Sequence, residues 1–323
     1  MLRVTCSLLG YNYFMVSNFW QKLKKPIVGL APMDGVTDSA FRFITDKYGL
    51  PDVIFTEFFP VEAIVRANKK FTDNLIYYKT KAPTVVQFFG SNPESFYQAA
   101  QFAQKLGYEG IDINMGCPDR NVVKKGGGAG LILQPLLVKK IISETKRGAG
   151  KLPVSVKTRI GYDKIITTEW ISQLLETEID VISLHGRTLN QISTGEANWE
   201  EIAKAGELAK KSKIIILGNG DVRTRDEAVE KCEKYKVDGV LIGRATWGNP
   251  WLFVNKIPTI EERFAVMVEQ CEKYLEYYSN GNFLSMRKHL AWYCKGFDGA
   301  AQMRERLTEV NNIEEVKKII LTV

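Results

Sequence analysis

Three side chains in this 323-residue chain stand where they could do chemistry. Cys117 sits between Gly116 and Pro118, just past the apolar run 110–114. Beside Asn114 and a glycine turn, its thiol could donate a proton or attack as a nucleophile, although a free cysteine is also a common small core residue. Lys157 lies inside the run 153–158, between Val156 and Thr158. Burying a lone ammonium is costly, so this lysine must meet water, a partner or an anion. His185, one of two histidines, ends the run 181–185 and is followed by Gly186 and Arg187. It reads equally as a structural histidine or as a group in a site.

Short apolar runs dense in Val, Ile and Phe recur along the chain at 27–31, 53–57, 84–89, 110–114, 153–158, 181–185, 214–218 and 239–243. Each is too short for a helix and nearly continuous, the pattern of strands covered on both faces of a parallel sheet. Helical patterns lie between them at 38–48, 60–67, from Pro93 with Ser91 or Asn92 as cap, and at 135–147, 168–177, 199–211 and 224–235. Eight alternations predict a closed (β/α)₈ barrel, a TIM barrel of the α/β class, with an open doubly wound sheet as the alternative. After residue 256 the strands stop. Helices are expected at 261–279, 284–295, 299–309 and 313–321, a small C-terminal helical domain.

In such a barrel the chemistry sits at the carboxyl ends of the strands. Here nearly every run ends in polar or glycine-rich residues: Pro32, Met33, Asp34 and Gly35; Thr56 and Glu57; Gln87 and Gly90; Asn114 to Cys117; Lys157 and Arg159; His185 to Thr188; Asn219, Gly220 and Asp221; Gly243 and Arg244. Any one of these could be a capped turn, but together they predict one shared site. The last two turns lead into helices and sit where such barrels hold phosphate, with Arg244 able to add a charged contact. A phosphate held there would belong to a substrate or to a cofactor such as FMN. Neither GxGxxG nor GxxxxGK[ST] occurs, and the glycines of 126–130 read as a flexible loop.

The net charge of +7 suits a polyanionic partner such as nucleic acid. Residues 256–323 balance ten basic against ten acidic residues, so the excess lies in the barrel part. Five scattered cysteines without a CxxC pair argue against a zinc site or disulfide framework and fit a reducing cytosol. No metal and no membrane span are expected. Residues 1–17 read as an N-terminal extension, poorly ordered or preceding a start at Met15; Asn12 and the tyrosines break the apolar run a signal peptide would need.

Taken in order, APMDGVTDSAFR, NMGCP with its glycine run and GLIL, VSVKTRIG, LHGRT, GNGD and IGRA resemble the tRNA-dihydrouridine synthases. The resemblance covers about residues 26–253, and RKHLAWYCKGF at 287–297 is similar to a motif of that family's helical domain. It implies an FMN-dependent, cytoplasmic, monomeric enzyme that reduces uridine in tRNA to 5,6-dihydrouridine with NADPH, with a catalytic barrel at 18–255 and a tRNA-binding domain at 256–323. By resemblance, Pro32, Met33 and Asp34 would line the flavin ring, Gln87 and Lys157 would bond to it, and His185 would lie beside it. Asn219, Gly220, Asp221, Gly243 and Arg244 would hold the ribityl phosphate. Cys117 would be the general acid, with Asn114 and Arg159 orienting the base. Asp34 departs from the residue expected after the Met. Two alternatives remain: an FMN barrel acting on a small pyrimidine, and a non-catalytic RNA-binding barrel.

Overall fold

The computed structural model describes residues 18–66, 75, 78–278 and 282–322. The expected extension at 1–17 lies outside these, as do residues 67 and 279 at the ends of two expected helices. Among the described residues, the eight runs form eight parallel strands: β1 (Ile27–Leu30), β2 (Ile54–Pro60), β3 (Thr84–Phe89), β4 (Gly110–Met115), β5 (Val154–Arg159), β6 (Val181–His185), β7 (Ile215–Asn219) and β8 (Gly239–Ile242). Each pairs with the next, and β8 returns to β1 with Ile27 opposite Gly239 and Leu30 opposite Ile242. That last pairing closes the barrel and excludes the open sheet.

Strand alternation sorts the side chains into two layers. On β5, Val154 and Val156 face outward into the large core between strands and helices, which also holds Ile113, Phe88, Leu184, Ile242 and Trp170. Ser155, Lys157 and Arg159 face the interior. The interior is stratified. Its amino-terminal end is apolar, filled by Ile27, Phe55, Val85, Val181, Ile215 and Leu217 and plugged by Trp20 from the short helix Phe19–Lys22. Its middle layer is polar: Gln87 and Ser155 both donate to the Asp112 carboxylate, at 2.6 and 2.5 Å. Burial pushes that carboxyl up to about 6, against the pull of these two hydrogen bonds.

The helices start where cap residues allow. Asp38, Asn92, Asn198 and Thr224 each accept a backbone N–H of the first turn, and Thr259 with Glu262 forms a reciprocal capping box. Two local expectations are corrected. The helix Ser39–Gly49 does not stop before Gly49; Leu50 takes the left-handed turn at φ 49°. Gly49 is needed for proximity, since a Cβ there would stand 2.2 Å from the Pro250 carbonyl oxygen. The glycines of 126–130 are not a flexible loop. From Gly128 the chain forms a 3₁₀ helix to Leu133, and Gly128, Ala129, Gly130, Leu131 and Ile132 are buried.

The C-terminal segment forms the helices Ile260–Tyr277, Met286–Tyr293, Ala300–Leu307 and Ile313–Ile320. Their core is shared with the barrel: Ala40, Ile44 and Trp251 cluster with Phe264, Met267, Met286 and Leu290. No helix of the described residues is long and apolar enough to cross a membrane.

Barrel closure depends on the space left by small residues at the β8–β1 seam. A Cβ on Gly239 would lie 2.3 Å from the Ile27 carbonyl oxygen, which cannot move without opening the ladder. Gly239→Ala should therefore cost roughly 1–3 kcal/mol, the usual scale of overpacking. That corresponds to a melting temperature lower by several degrees. An unchanged melting curve would show that the seam is not this tight.

Candidate active site

A cleft of about 530 Å³ opens at the carboxyl ends of the strands. Pro32 and Met33 line it from the loop after β1, Lys157 from β5 and His185 from β6. Asn219, Gly220, Asp221 and Arg223 line it from β7 and its turn, and Gly243, Arg244 and Ala245 from the turn after β8. Nine residues singled out in the sequence thus meet in one place, drawn from five strands.

The floor is a relay of polar contacts. Lys157 Nζ donates to Asn219 Oδ1 at 2.9 Å, and Asn219 Nδ2 donates to the Leu241 carbonyl oxygen at 2.8 Å. Burial lowers the Lys157 pKa to about 8, and nearby Arg159 pushes the same way. Burial, then Lys157, Arg159, Arg187 and Arg244, hold His185 neutral, with its pKa lowered to about 2. The cleft is therefore cationic and its histidine uncharged.

The turn after β7 has a special backbone. Gly220 takes φ 126° and Asp221 φ 54°. A Cβ on Gly220 would meet Ala197 at 2.6 Å and the His185 ring at 3.1 Å. Asp221 bonds to Arg187 Nη2 at 2.5 Å, to the Ala197 N–H at 2.8 Å and to Arg244 Nη2 at 3.3 Å. Burial would raise its pKa, but these partners, Arg187 foremost, bring it below the ordinary carboxylate value. Its carboxylate thus aims two arginines, while the turn's backbone and Arg244 face the cleft. Arg187, buried and bonded also to the Gly195 carbonyl oxygen, belongs to the strand-end cluster expected from the sequence, which gave it no role of its own.

A second cluster centres on Cys117. Asn114 Oδ1 accepts the N–H groups of Gly116 and Cys117, at 3.0 and 2.8 Å, and Asn114 Nδ2 donates to Gln87 Oε1 at 2.8 Å. Arg159 donates to the carbonyl oxygens of Gly116, Thr188 and Ile192 at 2.7 to 3.1 Å. Gly128, at φ 53°, passes so close that a Cβ would lie 2.8 Å from the Cys117 carbonyl oxygen and 3.1 Å from its Cβ. The Cys117 backbone is therefore held on several sides. Burial raises the thiol pKa above its ordinary value; the Asp119 N–H opposes this, while the charges of Asp119 and Asp34 add to it.

Gln87, Asn114, Cys117, Arg159 and Asp34 do not line the 530 Å³ cleft itself. Gln87 is fully enclosed and spans Asp112 and Asn114. Its amide supports the Cys117 cluster from below. Asn114 lies opposite Lys157 in the β4–β5 register, so the cysteine cluster and the cleft adjoin through neighbouring strand ends.

Comparison with known proteins identifies the family. The family model for dihydrouridine synthase matches residues 29–322. A probable tRNA-dihydrouridine synthase of Staphylococcus aureus strain MRSA252 is 36% identical over 316 residues, covering 95% of both chains. Probable tRNA-dihydrouridine synthase 2 of Bacillus subtilis strain 168 is 34% identical over 316 residues, covering 95% of this chain and 96% of its own. Among solved structures, 6-hydroxypseudooxynicotine amine oxidase of Pseudomonas geniculata N1 matches 69% of this chain and 46% of its own, with a TM-score of 0.52 at 14% identity, a likeness of fold alone. With a cleft at the strand ends, a cysteine cluster beside it and a family match across nearly the whole described chain, the protein belongs to the dihydrouridine synthase family.

Proposed function

We propose that this protein is a tRNA-dihydrouridine synthase that holds FMN in the cleft at the β7–β8 rim, takes reducing equivalents from NADPH and converts uridine in tRNA to 5,6-dihydrouridine. The observation that carries this reading is the adjacency of a cationic cleft to a thiol kept protonated by burial, on neighbouring strand ends. The residues present fit a flavin nucleotide. Gly220 and Gly243 line the cleft with backbone, Arg244 stands beside them to meet a phosphate, and Lys157 offers a further cation from β5. Bound there, FMN would supply hydride transfer between the nicotinamide and C6 of uracil.

The chain's own residues do the rest. Lys157 compensates negative charge in the cleft, with Asn219 fixing its direction. His185, neutral, adds a polar ring without a competing cation. Cys117 delivers the proton to C5, and its raised pKa keeps that proton available at neutral pH. Asn114 and Arg159 act through backbone contacts that hold the Gly116–Cys117 turn. A base inside folded RNA must leave its stack to reach this rim. The positive balance of residues 18–255 suits the phosphates of tRNA, with residues 256–323 as a second docking element. The protein acts in the cytoplasm, as a monomer.

Incubating the protein with unmodified tRNA, FMN and NADPH should produce dihydrouridine, detected by mass spectrometry, with no comparable turnover of free uracil or orotate. Reduction of the free pyrimidines in place of tRNA would favour the small-molecule reading. Cys117→Ala should keep FMN and NADPH oxidation but lose dihydrouridine formation by about 10²–10⁴-fold, the scale of a lost general acid; full modification would remove Cys117 from this role. Gly128→Ala should act in the same direction by displacing the Cys117 turn, again with FMN retained.

FMN affinity should depend on pH through Lys157. Its pKa of about 8 leaves it charged below that pH and neutral above. Affinity should therefore fall as pH rises from 7 to 9.5, and Lys157→Met should bind weakly with a flat profile. A Lys157→Met variant with the wild-type slope would assign the dependence to another group.

A further inference from the structure

Two loops that line the cleft rest on one helix of the C-terminal segment, Met286–Tyr293. The loop after β1 folds on itself: the N–H of Met33 donates to Thr37 Oγ1 at 3.1 Å, and the N–H of Thr37 donates to the Met33 carbonyl oxygen at 3.0 Å. Beneath it lies His289, 1% exposed, with Nε2 3.8 Å from Asp38 Oδ2 and its ring 5.7 Å from that of Phe41. Next to it, Lys288 Nζ stands 2.7 Å from where a Cβ on Gly35 would be.

The loop after β8 makes the second contact. Trp247, three residues after Arg244, stacks on Trp292 with ring centroids 4.5 Å apart and planes 13° from parallel. Gly248 takes φ 60° and lies so close that a Cβ would be 2.2 Å from the Trp292 carbonyl oxygen. Lys295 donates to the Trp247 carbonyl oxygen at 3.0 Å. The two loops also meet each other, since Met33 Sδ is 3.4 Å from where a Cβ on Gly243 would be.

The helix is itself firmly seated. Met286 and Leu290 are fully buried, and His289 Nδ1 pairs with Gln270 Nε2 at 3.2 Å. Gln270 Oε1 accepts the Tyr293 hydroxyl at 2.7 Å. Neither His289 nor Trp292 lines the cleft. Loops at a barrel rim are ordinarily its mobile part, and a binding site is as exact as the shell that supports it.

We infer that the helix Met286–Tyr293 is a buttress for the cofactor cleft, in which His289 and Trp292 are positioning residues that hold Met33 and Arg244 in place. The inference rests on the reading of the cleft as a flavin site. It gives the C-terminal segment a part in cofactor binding that is separate from any contact with tRNA.

FMN binding to the flavin-free protein, followed by quenching of flavin fluorescence and by the visible absorption spectrum, tests this without turnover. Trp292→Ala should weaken FMN by about tenfold or more and alter the spectrum, as expected when a preorganised site loses support. Trp292→Phe, which keeps a stacking ring, should recover most of the affinity. Val316→Ala, in the same apolar core but on the helix Ile313–Ile320, should lower the melting temperature and leave the affinity unchanged. If Trp292→Ala does not fold, His289→Gln decides by the same readout. Wild-type affinity and spectrum in the Trp292 or His289 variant, despite a lower melting temperature, would overturn the buttress. A wild-type protein that takes up no FMN would instead overturn the flavin reading beneath it.

Discussion

A partly buried ammonium group, set in the carboxyl half of β5 and lining the cleft, is the constraint around which the site is organised. Lys157 has one side-chain acceptor, Asn219, and lies close to Arg159, which opposes its charge. A partly desolvated cation whose bonded acceptor is a neutral amide is poised to receive an anion. The surroundings amplify this demand. His185 is kept uncharged, and Arg187 and Arg244 are drawn in by Asp221 without the cleft becoming neutral. The folded protein carries this unfavourable electrostatics because the outer core of the barrel, with Val154 and Val156 on either side of the polar positions, supplies the stability.

Below Lys157, a ladder of hydrogen bonds joins the barrel's interior to its rim. Asp112 receives Ser155 and Gln87, Gln87 receives Asn114, and Asn114 receives the N–H of Cys117. Each member satisfies the next, as a buried polar network must if it is not to weaken the core. The ladder gives Gln87 a structural reason to be polar at zero exposure, whatever else it touches. Its end point is the turn that carries the thiol, so the position of Cys117 is tied to the barrel's centre and not left to the loop alone.

Much of this was legible in the sequence because strand periodicity and strand-end chemistry are local signals. The eight apolar runs, Asn92 before Pro93 and Thr224 before its helix all announce themselves within a few residues. Pro32, Met33, Lys157, His185, Asn219, Gly220, Asp221, Gly243 and Arg244 could be gathered on one rim once a barrel was assumed. What stayed hidden depends on partners far along the chain. Arg187 matters through Asp221, 34 residues away. Gly128 reads as flexible by composition, yet it is rigid because the Cys117 turn leaves room only for a hydrogen. Gly49 reads as a helix stop, yet it is a contact point for the chain near Pro250.

The two halves of the proposed chemistry have different supports, and this separation has a consequence. The cationic cleft is built from β5 to β8 and the loops after β1 and β8, whereas the thiol is carried by β4 and steadied by Gly128 and Arg159. Arg159 is the link between them, since it opposes the charge of Lys157 and also holds the Gly116–Cys117 turn; away from Arg159, charge compensation and proton delivery rest on different side chains. Such a barrel could exchange one substrate for another by altering the Cys117 side while leaving the cofactor side intact, which fits the way a common fold hosts many reactions. Under the proposed function a large RNA would need surface beyond both clusters, and the C-terminal helices share a core with the helix Ser39–Gly49 that follows the cleft-lining loop after β1.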